Sequence, residues 1–158
     1  MTRKILIAVN ETESSKFAFQ WTLENIVKPD QDELTIFTVV EPPIQSGYYY
    51  AASGAIYVPS FIDEQYQKAT DEAISCLRSY EHTLNAWFKD TPVKSEKIVG
   101  KGEVRDEIVD YAERNKMDLV VMGSRGMGTL KRTFIGSTSD YCIHHLTCPV
   151  IIVKNKQE

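Results

Sequence analysis

Four short runs of apolar and β-branched residues constrain this chain more than any other feature: ILIAV (5–9), LTIFTVV (34–40), LVVM (119–122) and VIIV (150–153). Each is shorter than an ordinary helix. ILIAV has no polar residue to turn toward water, so it reads as a strand buried on both faces. Such a strand needs helices above and below it, and the intervening segments carry helical spacing.

After the strand Lys4–Val9, Thr12 stands as an N-cap with acidic Glu13 in the first turn. Phe19, Leu23, Ile26 and Val27 then form an apolar helical face, and Pro29 stops the helix. The run Glu33–Glu41 predicts a second strand, ended by Pro42 and Pro43. Residues 44–60 hold turn residues and four tyrosines without a period, and read as a long surface loop. A long helix is expected from Phe61 to Phe88, where Tyr66, Ala69, Ala73, Cys76, Leu77, Tyr80, Leu84 and Trp87 recur at steps of three and four. Val93–Val99 reads as a strand at a sheet edge, its lysines and Glu96 discouraging another chain from pairing there. A helix marked by Val104, Ile108, Tyr111 and Ala112 follows, then the fourth strand, a helix from Ser137 to Leu146 and a last strand from Pro149 to Lys154.

This alternation predicts an α/β domain spanning 1–158, with parallel strands joined by right-handed helical crossovers. In such a sheet, ligands bind beyond the C-terminal strand ends, where the strand order reverses. The stretches AVNETES, TVVEPP and MGSRGMG are therefore the places to look.

Composition narrows the function. A net charge of −4 argues against a nucleic-acid partner, which usually requires a basic face. The apolar run at the N-terminus is too short for a membrane span, so no membrane partner is expected and the cytoplasm is the expected location. Cys76, Cys142 and Cys148 show neither disulfide nor zinc spacing and read as buried reduced thiols.

The stretch from Met122 to Asp140 concentrates glycine, hydroxyls and the cations Arg125, Lys131 and Arg132. Gly123, Gly126 and Gly128 follow the fourth strand, where the lack of a Cβ lets backbone N–H groups approach an anion. Gly136 and Ser137 open the next helix, whose N-terminus favours negative charge. Ser137 and Asp140 have the spacing of a capping box, with Asp in place of Glu. Two readings stand: a phosphate and ribose site, or a glycine-rich turn before a capped helix. The stretch is not a Walker A loop, having no G-K-[ST], and not a dinucleotide fingerprint, its order being G-x-x-G-x-G after the fourth strand.

Gly123 and Gly126, nine residues, then Gly136 and Ser137 make the pattern G-x-x-G-x9-G-[ST], which resembles the ATP-binding signature of the universal stress protein family. The opening ILIAVNETESSKFAFQW and the ending GSTSDYCIHHLTCPVIIVK are similar to that family's two ends. The resemblance covers Lys4 to Lys154. It implies a Rossmann-like open sandwich with a five-stranded sheet in the order 3-2-1-4-5 and four helices. It also implies bound ATP, Mg2+ being a companion of the phosphates. Phosphate and ribose contacts would fall on Met122, Gly123, Arg125, Gly126, Gly136, Ser137, Thr138 and Ser139. The adenine side would fall on Ala8, Val9, Asn10 and Val39. Asn10 stands where the family usually has aspartate, keeping a hydrogen-bonding amide without the charge. Asn10 also suits a turn residue bonding its own backbone, and Val39 suits the core. The resemblance further implies a homodimer through Val150, Ile151, Ile152 and Val153, whose apolar run would leave an open edge if the strand lies outermost.

Other candidates read as structural. His82, His144 and His145 face no identifiable carboxylate, and Asp118 begins its strand rather than ending it as a metal-binding Walker B aspartate would. Tyr48–Tyr50 suit loop packing, a lid or a partner surface. The chain therefore reads as a nucleotide-dependent regulatory, stress-response protein with no catalytic or metal residues. The alternatives are a slow ATPase or other adenine-nucleotide enzyme, and a dimeric interaction module without nucleotide. AMP or cyclic AMP would fit the same pocket. An adenylating enzyme would want a glycine-rich loop after the first strand, and NETESS has none.

Overall fold

The computed structural model describes residues 2–41, 48–51, 54–57, 59–90, 93–124 and 136–155, with side chains left undescribed from 48 to 63. In chain order the elements are β1 (Arg3–Ala8), α1 (Glu13–Asn25), β2 (Asp32–Val40), β3 (Tyr48–Ala51), β4 (Gly54–Tyr57), α2 (Pro59–Trp87), β5 (Lys94–Lys101), α3 (Val104–Arg114), β6 (Leu119–Gly123), α4 (Ser137–His145) and β7 (Val150–Val153). Five strands form one parallel sheet in the order β5-β2-β1-β6-β7. Numbered within that sheet alone, this is the expected order 3-2-1-4-5. The chain runs outward from β1 to β5, returns to β6 on the other side of β1, and so reverses direction between β1 and β6.

The strands read as unbroken apolar runs because alternate residues enter two separate cores. On one face Ile5 and Ile7 of β1, Leu34 and Ile36 of β2 and Val121 of β6 pack with Phe19, Leu23, Leu77 and Leu84 of α1 and α2. On the other, Leu6, Phe37, Val120 and Met122 pack with Ile108, Ala112 and Cys142 of α3 and α4. Most of these side chains are completely buried.

Two expectations change. Residues 48–57, read as loop, contain an antiparallel hairpin pairing Tyr48 with Tyr57 and Ala51 with Gly54. Its tyrosines and Ile56 favour strands, but irregular alternation hid them. The capping box at α4 does not form. Gly136 already has extended N-cap geometry, φ −62° and ψ 153°, and Ser137 is the first helical residue. The Asp140 N–H donates to the Gly136 carbonyl at 2.9 Å, while the Asp140 carboxylate lies 3.8 Å from His144 Nε2. That carboxylate is one turn from His144, and both side chains are exposed. At α1 the expected cap holds, the Thr12 hydroxyl accepting from the Ser15 N–H at 3.3 Å.

β5 lies at one sheet edge, as its charges suggested, and those charges are engaged by neighbouring elements. Lys94 pairs with Glu33 at 2.7 Å and Lys97 pairs with Glu81. Glu96 accepts the Thr35 and Tyr111 hydroxyls, each at 2.9 Å. Asp118 is the turn residue expected of it, accepting the Lys4 N–H at 2.7 Å.

The turn between α1 and β2 is held by Asp32. Its carboxylate receives two hydrogen bonds from Arg3, both at 2.8 Å, and a third from the Lys28 N–H at 2.7 Å. Burial pushes this carboxyl up, but Arg3 and the Lys28 N–H outweigh it and hold it below the usual carboxylate range. A depressed folded-state value stabilises the protein above the unfolded pKa of about 4 and ceases to do so as pH falls through the folded value. Asp32→Asn is therefore expected to destabilise by about 1–3 kcal/mol at pH 7. The gap to wild type should narrow below about pH 4 in urea unfolding at a series of pH values.

α1 approaches the end of β6 unusually closely. A Cβ on Gly123 would lie 2.8 Å from Ser14 Oγ, 2.9 Å from the Ser14 carbonyl oxygen and 3.0 Å from its carbon. Ser14 is itself buried, and its hydroxyl has no hydrogen-bond partner among the described residues. Backbone cannot yield as a flexible side-chain tip can, so Gly123→Ala must displace the first turn of α1. The expected cost is about 1–3 kcal/mol in chemical denaturation.

Candidate functional site

A cavity of about 360 Å³ opens beyond the C-terminal ends of β1, β2 and β6, beside the reversal in strand order. Ala8, Val9 and Asn10 supply its β1 side, Thr38, Val39, Val40 and Glu41 its β2 side, and Met122 and Gly123 its β6 side. Thr138 and Ser139 bring in the first turn of α4. Ala69, Glu72, Ala73 and Cys76 bring in one face of α2. The structure thus gathers Ala8, Val9, Asn10, Val39, Met122, Gly123, Thr138 and Ser139, which the sequence had named from separate segments. Gly136 and Ser137 begin α4 just outside the lining. Arg125 and Gly126 lie outside the described residues, as do Lys131 and Arg132.

The α4 end is tied to β6. The Ser139 hydroxyl donates to the Gly123 carbonyl at 3.2 Å, and the Gly136 N–H donates to the Ser124 carbonyl at 3.0 Å. The first intrahelical bond comes from the Asp140 N–H. The N–H groups of Ser137, Thr138 and Ser139 precede it and have no intrahelical partner, with the positive end of the helix dipole behind them. The missing Cβ of Gly123 admits Ser14 of α1 at this end of β6.

The β1 end is a hydrogen-bonded network. The Asn10 N–H donates to Ser15 Oγ at 2.9 Å, and the Asn10 carbonyl accepts the Tyr80 hydroxyl at 2.7 Å. Asn10 Oδ1 accepts the Thr12 N–H at 3.1 Å and the Thr12 hydroxyl at 2.6 Å. Burial pushes the Tyr80 hydroxyl up to about 12, so it remains a neutral donor. The turn reading of Asn10 and its place in the cavity thus both hold: one side chain does both.

Glu11, Glu41 and Glu72 are among the lining residues, and the described lining contains no lysine or arginine. Among the described residues no three histidine, cysteine or acidic side chains converge to hold a metal ion. The expectation of three buried thiols holds only for Cys142, pushed up to about 11 by burial. Cys148 and Cys76 are half-buried; Cys76 lines the cavity, and its thiol is raised by burial and then by Glu11. Reasoning from sequence missed the α2 wall because Ala69, Ala73 and Cys76 share the helical period of the core. The signal there was small side chains, which leave room that leucine would fill.

The described residues form no helix long and apolar enough to cross a membrane. A family model described as "Universal stress protein family" matches residues 1–154. The universal stress protein YxiE of Bacillus subtilis is 30% identical over 155 residues, covering 98% of this chain and all of its own length. The solved structure of MJ0577, a universal stress protein of Methanocaldococcus jannaschii, superposes with a TM-score of 0.76 at 26% identity, covering 100% of this chain and 99% of that one. A universal stress protein family member from Arabidopsis thaliana, solved with AMP bound, gives a TM-score of 0.64 at 25% identity, covering 99% and 94%. The parallel sheet in this order and the family match over nearly the whole length agree: this chain belongs to the universal stress protein family.

Proposed function

We propose that this protein binds an adenine nucleotide, ATP, in the cavity and acts as a nucleotide-dependent regulatory protein of the cytoplasm. The observation that carries the reading is the meeting of the β1, β2 and β6 ends with the N-terminus of α4 around one cavity. The adenine would lie against Ala8, Val9, Asn10 and Val39. The phosphates and ribose would lie toward Met122, Gly123, Gly136, Ser137, Thr138 and Ser139, with Arg125 and Gly126 completing the motif. The N-terminal N–H groups of α4 suit phosphate oxygens, and the AMP complex of the Arabidopsis relative supports an adenine ligand. Mg2+ would arrive with the phosphates. Regulation is favoured over turnover because the Ser15 hydroxyl is engaged with Asn10 and Tyr80, and Cys76 is held toward its neutral form. Neither group is prepared as a nucleophile. Calorimetry with ATP and Mg2+ is expected to give micromolar affinity in wild type and none in Gly126→Val at retained fold. Absence of heat and of any thermal shift with wild type at millimolar ATP would remove this reading.

The protein is further proposed to form a homodimer through β7. This strand ends the sheet opposite β5, and Val150, Ile151 and Ile152 are only half-buried. Beside it Phe17 and Trp21 of α1 line an apolar groove with Ile151, Ile152 and Val153. A second copy would cover both the strand edge and the groove. Sedimentation is expected to show a dimer for wild type and a monomer for Ile151→Lys; a wild-type monomer at high concentration would overturn the assignment.

A further inference from the structure

Outside the cavity, three side chains are stacked where α3 meets α4. The Tyr141 ring lies nearly parallel to the His145 imidazole, with centroids 3.7 Å apart and planes 14° from each other. His145 Nδ1 is held 2.8 Å from the Tyr141 carbonyl. The Tyr141 hydroxyl donates to Asp106. The Arg105 guanidinium stands 5.0 Å from the Tyr141 ring centroid. A ring has two faces, and His145, one turn further along α4, fills the one turned toward the helix C-terminus. Arg105 therefore covers the face turned toward the start of α4.

That position is at the rim of the cavity. Val104 and Ile108 of α3 line it, and Arg105 is adjacent to the first and about 60° around the helix from the second. Thr138 of α4 lines it too, three positions before Tyr141 on the same side of that helix. The described lining itself contains no lysine or arginine. Arg105 is also weakly held. Its side chain is half-exposed, and its Nε lies 3.7 Å from Glu103, too far for a hydrogen bond. An exposed cation–π contact is weaker than a charge-assisted, bidentate bond to phosphate. We infer that Arg105 is a switch with two partners: the Tyr141 ring when no phosphate chain is present, and the outer phosphates of a nucleotide when one is. Its departure strips the cation from the stack, so the length of the phosphate chain is passed to the outer surface of α3 and α4. This rests on the proposed nucleotide site and adds regulation to it, through a residue outside the glycine signature.

Calorimetry with uncharged adenosine and with ATP and Mg2+, on wild type and Arg105→Gln, tests the contact, thermal melting checking the fold. NMR of the His145 ring, its signal assigned by its loss in His145→Gln, tests the switch. The expected result is a loss of about tenfold or more in ATP affinity for Arg105→Gln, with adenosine binding unchanged. In wild type the His145 signal should shift with saturating ATP and stay in place with adenosine. In Arg105→Gln it should not respond to ATP. A smaller loss of ATP affinity, or an equal loss for both ligands, overturns the inference. A His145 signal that ignores ATP in wild type overturns it as well, since Arg105 then never leaves the ring. Wild type that binds neither ligand refutes the nucleotide site itself, and this inference falls with it. Wild type that binds both while its His145 signal stays fixed refutes only the switch.

Discussion

Burial of β1 on both faces, between β2 and β6, is the constraint from which the rest of the structure follows. Ile5 and Ile7 enter one core and Leu6 the other, all fully buried, so β1 can neither shift register by one residue nor lie at an edge. A central β1 forces the chain to extend the sheet to one side and return to the other. That return leaves a gap where the helices diverge, and Asn10, Met122 and Gly123 stand around it. The close seating of α1 on β6, made by Gly123 and Ser14, sets the distance between the two ends of the cavity.

The cavity is chemically two-sided. Its α4 end offers backbone N–H groups and a helix dipole, which favour negative charge. Its α2 and β2 side is lined by Val39, Glu41, Ala69, Glu72, Ala73 and Cys76. Between them Asn10 is clamped by Thr12, Ser15 and Tyr80, which come from the turn, α1 and α2. The Asn10 side chain is thus held in place by its own neighbours. α1 faces both ways, with Ser15 in the cavity wall and Phe17 and Trp21 beside β7.

Much of this was legible in the chain. Period-two burial explains why ILIAV and LVVM are unbroken, and the Thr12 cap and Pro29 stop are local chemistry that needs no tertiary partner. Asn10, Val39 and Thr138 could be named because the resemblance to the universal stress protein family points to them, and the order of elements independently selects the stretches that hold Asn10 and Val39. The β3–β4 hairpin was not legible, because its tyrosines lack the alternation that marks a strand. The α4 cap was misread by one residue, because Gly136 and Ser137 both suit an N-cap and only backbone dihedrals decide between them.

By itself the sequence determined the element order, the parallel sheet and the segments that meet at its C-terminal edge, because apolar periodicity and turn residues act over short spans of chain. Only the tertiary structure decided what those segments do when they meet. Cys76 packs against the core and also lines a cavity with Ala73, Gly123 makes room for a helix, and Asn10 Oδ1 accepts both Thr12 donors. Each of these depends on contact between residues far apart in the chain, where distance and direction rather than composition set the chemistry.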